Sequence, residues 1–303
     1  MRPLLSYYGG KQRLASQLVR LMPPHTVYVE PFCGGAALLF AKPQPFVTNN
    51  HHYLEVLNDR DERLITLYRV CQDAGQRRTL EERLHMTPFS RAEYVRAQQI
   101  LQTWETHTAV DQAWAMVLQL QQSFAHKVLG GWRTAVISTN DAATWATYRA
   151  ALPTLMDRLQ NVHLECDDAL AVIRRWDSPQ TLIYCDPPYV GTAQGHYQGY
   201  TEADLHALVA VLDTCQSSVM LSSYAHACIP THWPVYQFEA FCSVSGQGKI
   251  HRQGQRDRAS TPEERGDRRR VEHCYVIDRS AAVRHELRGL LIGQTQLGLF
   301  EET

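Results

Sequence analysis

Residues 26–40 read Thr26-Val27-Tyr28-Val29-Glu30-Pro31-Phe32-Cys33-Gly34-Gly35-Ala36-Ala37-Leu38-Leu39-Phe40. The β-branched and aromatic run at its start predicts a buried strand. An acid, a proline and two glycines then lead into small and apolar residues that open a helix. Strand, glycine turn and helix form the first unit of a nucleotide-binding α/β sheet. Gly34 and Gly35 let the backbone approach a bulky ligand and take torsions that other residues resist.

Working outward, the same rhythm recurs. Upstream, the turn Tyr8-Gly9-Gly10-Lys11 precedes a helical pattern at Leu14, Leu18 and Leu21, which Pro23-Pro24 ends. Downstream, residues 53–57 predict a second strand ending at Asn58-Asp59, then a helix carrying Leu64, Leu67, Tyr68 and Cys71. After residue 160 the pattern returns. Residues 162–166 form a strand ending at Asp167-Asp168, and residues 181–185 one ending at Asp186. Thr201-x-x-Asp204 is a capping box before Leu205, Leu208, Val209 and Leu212. Residues 219–223 predict another buried strand, and 272–277 a closing edge strand. No internal repeat is visible.

Residues 72–159 are different: helical, rich in Gln, Arg and Trp, with a break at Leu129-Gly130-Gly131-Trp132 that predicts a hairpin or loop between helices. Trp104, Trp114 and Trp145 belong to the core of this helical part. The chain therefore divides into an α/β domain over 1–71 and 160–280, a helical subdomain over 72–159, and a tail over 281–303.

Bulk composition sets limits. The chain has 303 residues, 44% hydrophobic and 20% charged, with a formal net charge of −1, so any basic surface is local. None of the eight cysteines forms a Cys-x-x-Cys pair, and they read as small buried hydrophobes of a reducing, cytoplasmic environment. No run approaches the ~18 apolar residues of a membrane span. Among fourteen histidines, His51-His52 is adjacent rather than at ligand spacing, so no metal is expected.

Four predicted strands end in acids: Glu30, Asp59, Asp168 and Asp186. Ligands of open parallel sheets bind outside the carboxyl ends of the strands. Helix caps and solvated turns are the competing explanation for any one of these acids. The glycine turn lacks Gly-x-Gly-x-x-Gly spacing, and no Gly-Lys-Ser/Thr phosphate loop occurs. A phosphate-free adenosine ligand such as S-adenosyl-L-methionine fits better, with Asp59 suited to a ribose diol.

Asp186-Pro187-Pro188-Tyr189 is the sharpest signal. Its prolines remove two N–H donors and leave carbonyls beside a carboxylate. Such an acceptor-rich corner suits an amine with two N–H bonds, and the Tyr189 ring suits a flat heterocycle. A neutral exocyclic amine is a poor nucleophile, so positioning and preorganised electrostatics must supply most of the rate.

Taken in order, these motifs resemble the Dam-like N6-adenine DNA methyltransferases, in which the cofactor motif precedes the catalytic one. The resemblance covers roughly 1–70 and 160–280. It rests on Tyr7-Tyr8-Gly9-Gly10-Lys11, Val29-Glu30-Pro31-Phe32-Cys33-Gly34-Gly35, Asn58-Asp59 with the following helix, Cys166-Asp167-Asp168, and Asp186-Pro187-Pro188-Tyr189. Two positions depart from the family pattern. Ala36 stands where many relatives have a third glycine, and Ala169 where an aromatic is common.

The resemblance implies a Rossmann-like S-adenosylmethionine-dependent methyltransferase fold with an inserted helical DNA target-recognition subdomain. It implies cofactor contacts from Tyr7, Lys11, Glu30, Pro31, Phe32, Gly34, Asp59, Asp168 and Asp186, and catalysis by Asp186, Pro187, Pro188 and Tyr189. The implied partner is double-stranded DNA, and the implied setting nucleoid-associated. The alternatives are another amino acceptor (RNA adenine, cytosine N4 or a glutamine amide) and a catalytically inert DNA-binding module.

An adenine paired in a duplex must be flipped out to be reached. Residues 249–270 hold eight basic and four acidic side chains, a local excess of four suited to DNA phosphates, or to a solvated mobile loop. Candidates there are Lys249, Arg252, Arg256, Arg268 and Arg269. Base readout is expected from the helical part. There the run Gln119-Leu120-Gln121-Gln122-Ser123-Phe124 and the loop 126–133 offer Gln122, Lys127, Trp132 and Arg133. Glutamine is also a plain surface helix former.

Overall fold

The computed structural model describes residues 3–7, 10–43, 53–126, 128–133, 140–190, 199–241, 269–281 and 283–284. Seven strands form one sheet: β1 (Val27–Glu30), β2 (Leu54–Asn58), β3 (Val162–Glu165), β4 (Thr181–Cys185), β5 (Ser218–Ser223), β6 (Val235–Phe241) and β7 (Arg269–Ile277). Their order is β3-β2-β1-β4-β5-β7-β6. The first five are parallel, β7 runs antiparallel to β5, and β6 antiparallel to β7. Strand order reverses between β1 and β4, the switch point where open α/β sheets bind ligands.

Along β1 successive side chains point to opposite faces. Tyr28 enters a core with Leu18, Phe40, Leu57, Leu64 and Tyr68. Val29 enters the other, with Val56, Ile183, Leu208, Leu212 and Val219. The helices follow suit. α1 (Ala15–Arg20), α2 (Ala37–Ala41) and α3 (Glu62–Gln72) cover the first face, and α8 (Ala169–Trp176) and α9 (Glu202–Thr214) the second. The capping box read at Thr201 and Asp204 is formed at the start of α9.

Between α3 and β3 stand α4 (Ala74–Met86), α5 (Arg91–Gln102), α6 (Ala109–Gln122) and α7 (Asp141–Asp157). Trp114 and Trp145 are buried as expected, each donating its indole N–H to Thr87, at 2.9 and 2.8 Å. Trp104 packs against the same core. These helices share one continuous apolar core with α1–α3.

One strand expectation needs correction, and one strand was not expected. Residues 272–277 are not an edge strand. They belong to the longer β7, which lies between β5 and β6. The edge is β6, which the apolar pattern does not single out because Val235 and Tyr236 are exposed. Among the described residues, no helix is long and apolar enough to cross a membrane.

The helical insertion is bolted to the sheet by a buried ion pair. Arg158 donates to both oxygens of Glu55 on β2, at 2.6 and 2.7 Å, and to the Leu39 carbonyl at 3.1 Å. Lys42 Nζ adds a contact to Glu55 at 2.9 Å. Burial alone would raise the Glu55 carboxyl, but Arg158 and Lys42 outweigh it and hold it low. A carboxyl held low stabilises the fold above its unfolded pKa and loses that contribution as pH falls through its folded value. Arg158→Ala is therefore expected to cost about 3 kcal/mol near neutral pH. The deficit should shrink at acid pH, measured by urea denaturation across a pH series.

Candidate active site

The site is built at the carboxyl ends of β1, β2 and β4. The turn after β1 is held from three sides. Asn58, fully buried at the end of β2, donates its side-chain amide to the Pro31 carbonyl at 2.8 Å and the Asp167 carbonyl at 3.1 Å. It accepts from Asp167 N at 2.9 Å. Its own carbonyl accepts from Cys33 N at 2.9 Å, so one asparagine ties three strand ends together.

Gly35 is required by close packing: a Cβ there would lie 2.9 Å from the Leu5 carbonyl oxygen and 3.1 Å from the Tyr7 Cβ. Tyr7 is thus packed against the glycine turn. Ala36 takes a left-handed conformation, φ 51° and ψ 41°, at the start of α2. Glycine would adopt it freely, whereas a Cβ costs on the order of 1 kcal/mol. The departure from the family's third glycine therefore keeps the glycine-like backbone.

The strand-end acids are placed differently from one another. Glu30 is buried and turned toward α2. Its Oε1 accepts from the Tyr28 hydroxyl and Leu39 N, both at 2.9 Å. Burial pushes its carboxyl up to about 8. Asp59 accepts from Gly34 N through Oδ2 and from Asp61 N through Oδ1, both at 2.9 Å. Burial raises it to about 6 against those two bonds. Asp168 is the exposed N-cap of α8, with Oδ1 accepting from Leu170 N and Ala171 N at 3.0 and 3.1 Å. Phe32 meets Tyr200 edge-on at 6.3 Å between ring centres.

Asp186 follows β4, with Pro187 buried and Pro188 and Tyr189 half-buried. Lys11 crosses from the N-terminal segment to place Nζ 2.8 Å from Asp186 Oδ1. The Tyr189 hydroxyl donates to the same oxygen at 3.1 Å. Among the described residues, Asp186 Oδ2 takes no bond. Glu272 on β7 completes the cluster, with Oε1 3.3 Å from Lys11 Nζ and 3.0 Å from the Tyr189 hydroxyl, whose single proton it shares with Asp186 Oδ1. Lys11 Nζ also lies 4.8 Å from the centre of the Tyr189 ring, which Tyr224 meets in a T-shaped pair at 4.8 Å.

Burial works against the Lys11 charge, but Asp186 and Glu272 outweigh it and keep the ammonium protonated. Burial and the neighbouring Glu272 raise the Asp186 carboxyl above its ordinary value, and Lys11 and the Tyr189 hydroxyl only partly offset them. The corner therefore sets two carboxyl groups around one cation.

The DNA-contact candidates fall into three groups. Gln122 is fully buried, its amide 3.5 Å from the Pro88 carbonyl, so in this conformation it presents nothing to a ligand. Gln119 is buried as well: it donates to the Tyr94 carbonyl at 3.1 Å and accepts from Leu129 N at 3.0 Å, bracing the loop that follows. That loop is a hairpin, with Ser123 bridged to Trp132 and Phe124 N donating to the Gly131 carbonyl at 2.7 Å. Trp132 packs on Phe89 at 5.2 Å with the Arg91 guanidinium over its ring. Arg133 Nε lies 3.0 Å from Asp141. The exposed apolar side chains here are Phe124 and Leu129. Lys127, Lys249, Arg252, Arg256 and Arg268 lie outside the described residues. Arg269 opens β7, where its backbone alone is described.

Glu272, Asn58, Tyr224 and Tyr200 are the site residues that motif reading passed over as individual contributors. The one signal for Glu272 was a charged residue inside an otherwise apolar strand, Val271 to Ile277.

The family model described as D12 class N6 adenine-specific DNA methyltransferase matches residues 7–235. No curated protein matches the chain.

Replacing Lys11 by Met leaves Asp186 and Glu272 buried together with no cation between them. The Asp186 carboxyl, already raised by burial, then rises further, and a carboxyl with a raised folded pKa loses stability as pH rises above its unfolded value. Lys11→Met should therefore cost about 3–5 kcal/mol at pH 8. Much of the loss should be recovered below the ordinary carboxylate range, followed by thermal unfolding against pH.

Proposed function

From the premise that the chain belongs to the D12 class of N6 adenine-specific DNA methyltransferases, we propose that its reacting centre is the Lys11–Asp186–Tyr189 corner at the sheet's switch point. The family transfers a methyl group from S-adenosyl-L-methionine to adenine N6 in DNA. Membership disposes of RNA adenine, cytosine N4 and glutamine as the acceptor, and of an inert binding module.

The observation that carries the reading is the asymmetric hold on Asp186. Lys11 and the Tyr189 hydroxyl both fasten Oδ1, and Oδ2 is left to accept from a substrate amine. With the carbonyls beside Pro187 and Pro188 as the second acceptor, both N–H bonds of an adenine amine can be received at once. The nitrogen lone pair then points away from the acceptors, toward the incoming methyl group. Lys11 and Tyr224 fix the orientation of the Tyr189 ring, the aromatic surface proposed to meet the flipped base. Methyl transfer would break the donor's methyl–sulfur bond and leave a neutral thioether, and the nitrogen, positive once the N–C bond forms, would give up a proton. Asp186 is the nearest carboxylate to hold that proton before water takes it.

The strand-end residues suit the family's cofactor by donor chemistry. Carboxylates outnumber cations around the switch point, which favours a cationic ligand. Each oxygen of Asp59 accepts one backbone N–H and keeps a lone pair for a hydroxyl of a ribose diol. The second oxygen of Asp168 is open to an adenine amine, and Phe32 and the Glu30–Gly35 turn would flank the methionine moiety. When bound, S-adenosyl-L-methionine supplies the electrophilic methyl carbon. Every other element of the reaction belongs to the chain: holding the amine, aligning the ring, and taking the proton.

Duplex DNA is the substrate in this reading. The hairpin at 123–132 lies beside the N-terminal segment through the Gln121 amide, which donates to the Leu4 carbonyl at 3.3 Å. Trp132 and Arg133 at its base are the described candidates for groove contact, and Lys127 of the same stretch lies outside the described residues. The basic run from Lys249 to Arg269 serves the phosphates.

Asp186→Ala is expected to lower methyl transfer to duplex DNA by at least about 100- to 1,000-fold. Binding of the same DNA in a mobility-shift assay should stay close to wild type. Transfer is read with radiolabelled cofactor, and wild-type turnover by the alanine variant would overturn the assignment.

A further inference from the structure

Glu272 stands outside both the motifs and the matched residues 7–235, yet it is the fourth member of the buried corner. We infer that Glu272 is a positioning residue: by sharing Lys11 and Tyr189 with Asp186, it decides which oxygen of Asp186 is presented to the substrate amine. The inference rests on the reading of Asp186 as the amine acceptor.

The geometry is a closed ring of four groups. Lys11 Nζ bridges Asp186 Oδ1 and Glu272 Oε1, at 2.8 and 3.3 Å. The Tyr189 hydroxyl bridges the same two oxygens, at 3.1 and 3.0 Å. Each donor is thus pulled two ways and held between the carboxylates. Without the Glu272 anion, the pull that holds the ammonium between the two carboxyl groups is gone. The ammonium can then shift toward Asp186 Oδ2, the oxygen meant for the amine.

β7 is a firm base for this task. It is hydrogen-bonded on both sides, with Ser223 of β5 opposite His273 and Phe238 of β6 opposite Glu272. A carboxylate buried to 8% exposure costs the fold unless its charge is used. A residue kept for stability alone would do better as an apolar or amide side chain.

The groups facing Glu272 are Lys11 of the N-terminal segment, Asp186 and Tyr189 after β4, Tyr184 on β4, and Cys274 on β7 itself. Its negative charge raises both Lys11 and Asp186. Removing that charge lowers the Asp186 carboxyl, so the acid limb of the rate profile moves to lower pH.

The test uses the full-length protein, with kcat, KM for duplex DNA and for the methyl donor, and the pH profile of kcat. Glu272→Gln is expected to lower kcat about 10- to 100-fold, leave both KM values near wild type, and shift the acid limb down. Glu272→Asp keeps the charge, and should keep the limb in place while recovering part of the rate. Wild-type kcat in Glu272→Gln would overturn the inference. So would a loss of kcat that tracks a fall in thermal stability with the limb unmoved. If the Gln variant does not fold, the Asp variant decides: an unmoved limb with a partial rate supports the inference, and wild-type kcat or a displaced limb sinks it. An Asp186→Ala enzyme that still turns over brings down the reading of Asp186 instead. An inert Asp186→Ala beside an indifferent Glu272→Gln brings down this inference alone.

Discussion

A buried ammonium between two carboxylates fixes how the top of this sheet is assembled. Lys11 comes from the N-terminal segment, Asp186 from the end of β4 and Glu272 from β7, so the contact draws together parts of the chain that are far apart in sequence. Desolvating each ion costs several kcal/mol, and the arrangement survives only because every member has partners. The N-terminal segment that delivers Lys11 is itself pinned by Leu4 and Leu5, both fully buried, and by the contact of Tyr7 with Gly35. The glycine turn and the charged corner are therefore two ends of one construction. A turn with a side chain at position 35 would push the segment away and take Lys11 off Asp186.

Most of this was legible where the signal is local. Thr181–Cys185 is a continuous buried run because β4 is covered on both faces, and a run that short, bounded by turn residues, is what an interior parallel strand leaves in a sequence. The capping box before α9 needs four consecutive residues and nothing else. Gly-Gly-Lys, Glu-Pro-Phe and Asp-Pro-Pro-Tyr were readable for the same reason. What was not legible depends on distant partners. Glu272 is one acid in a strand until the fold brings Lys11 to it. Gln119 and Gln122 look like the polar face of a helix, yet α6 is buried on nearly every side, and Gln119 spends its amide on a loop ten residues on. β6 was missed because an exposed edge strand lacks the apolar run that betrays an interior one.

The helical insertion matters to the site through the same shared packing. Its core is continuous with that of α1–α3, and Arg158 clamps its last helix to β2 and to the end of α2. The hairpin at 123–132 grows directly from α6 and is braced on α5 by the Tyr94 hydroxyl, which donates to the Gly130 carbonyl at 2.6 Å. In the proposed reading, binding energy gained at the hairpin would go into aligning a base over Asp186, because α6, which carries the hairpin, shares its core with α1–α3.

On the proposed reading of the corner, its charge balance accounts for the reaction of so weak a nucleophile. With both carboxyls ionised the corner carries a local charge of −1, whereas the methyl donor of this family is a sulfonium and the attacked amine becomes positive as the bond forms. At an effective dielectric of about 20, unit charges about 4 Å apart interact by roughly 4 kcal/mol. A single neutral hydrogen bond contributes nearer 1 kcal/mol. The electrostatic part is thus the larger, and it depends on the anions being neither protonated nor fully neutralised by Lys11. One carboxylate facing one lysine would give a neutral pair with little left for the substrate. A second carboxylate, drawing off part of the lysine, keeps the first available, and that is the arrangement Glu272 makes.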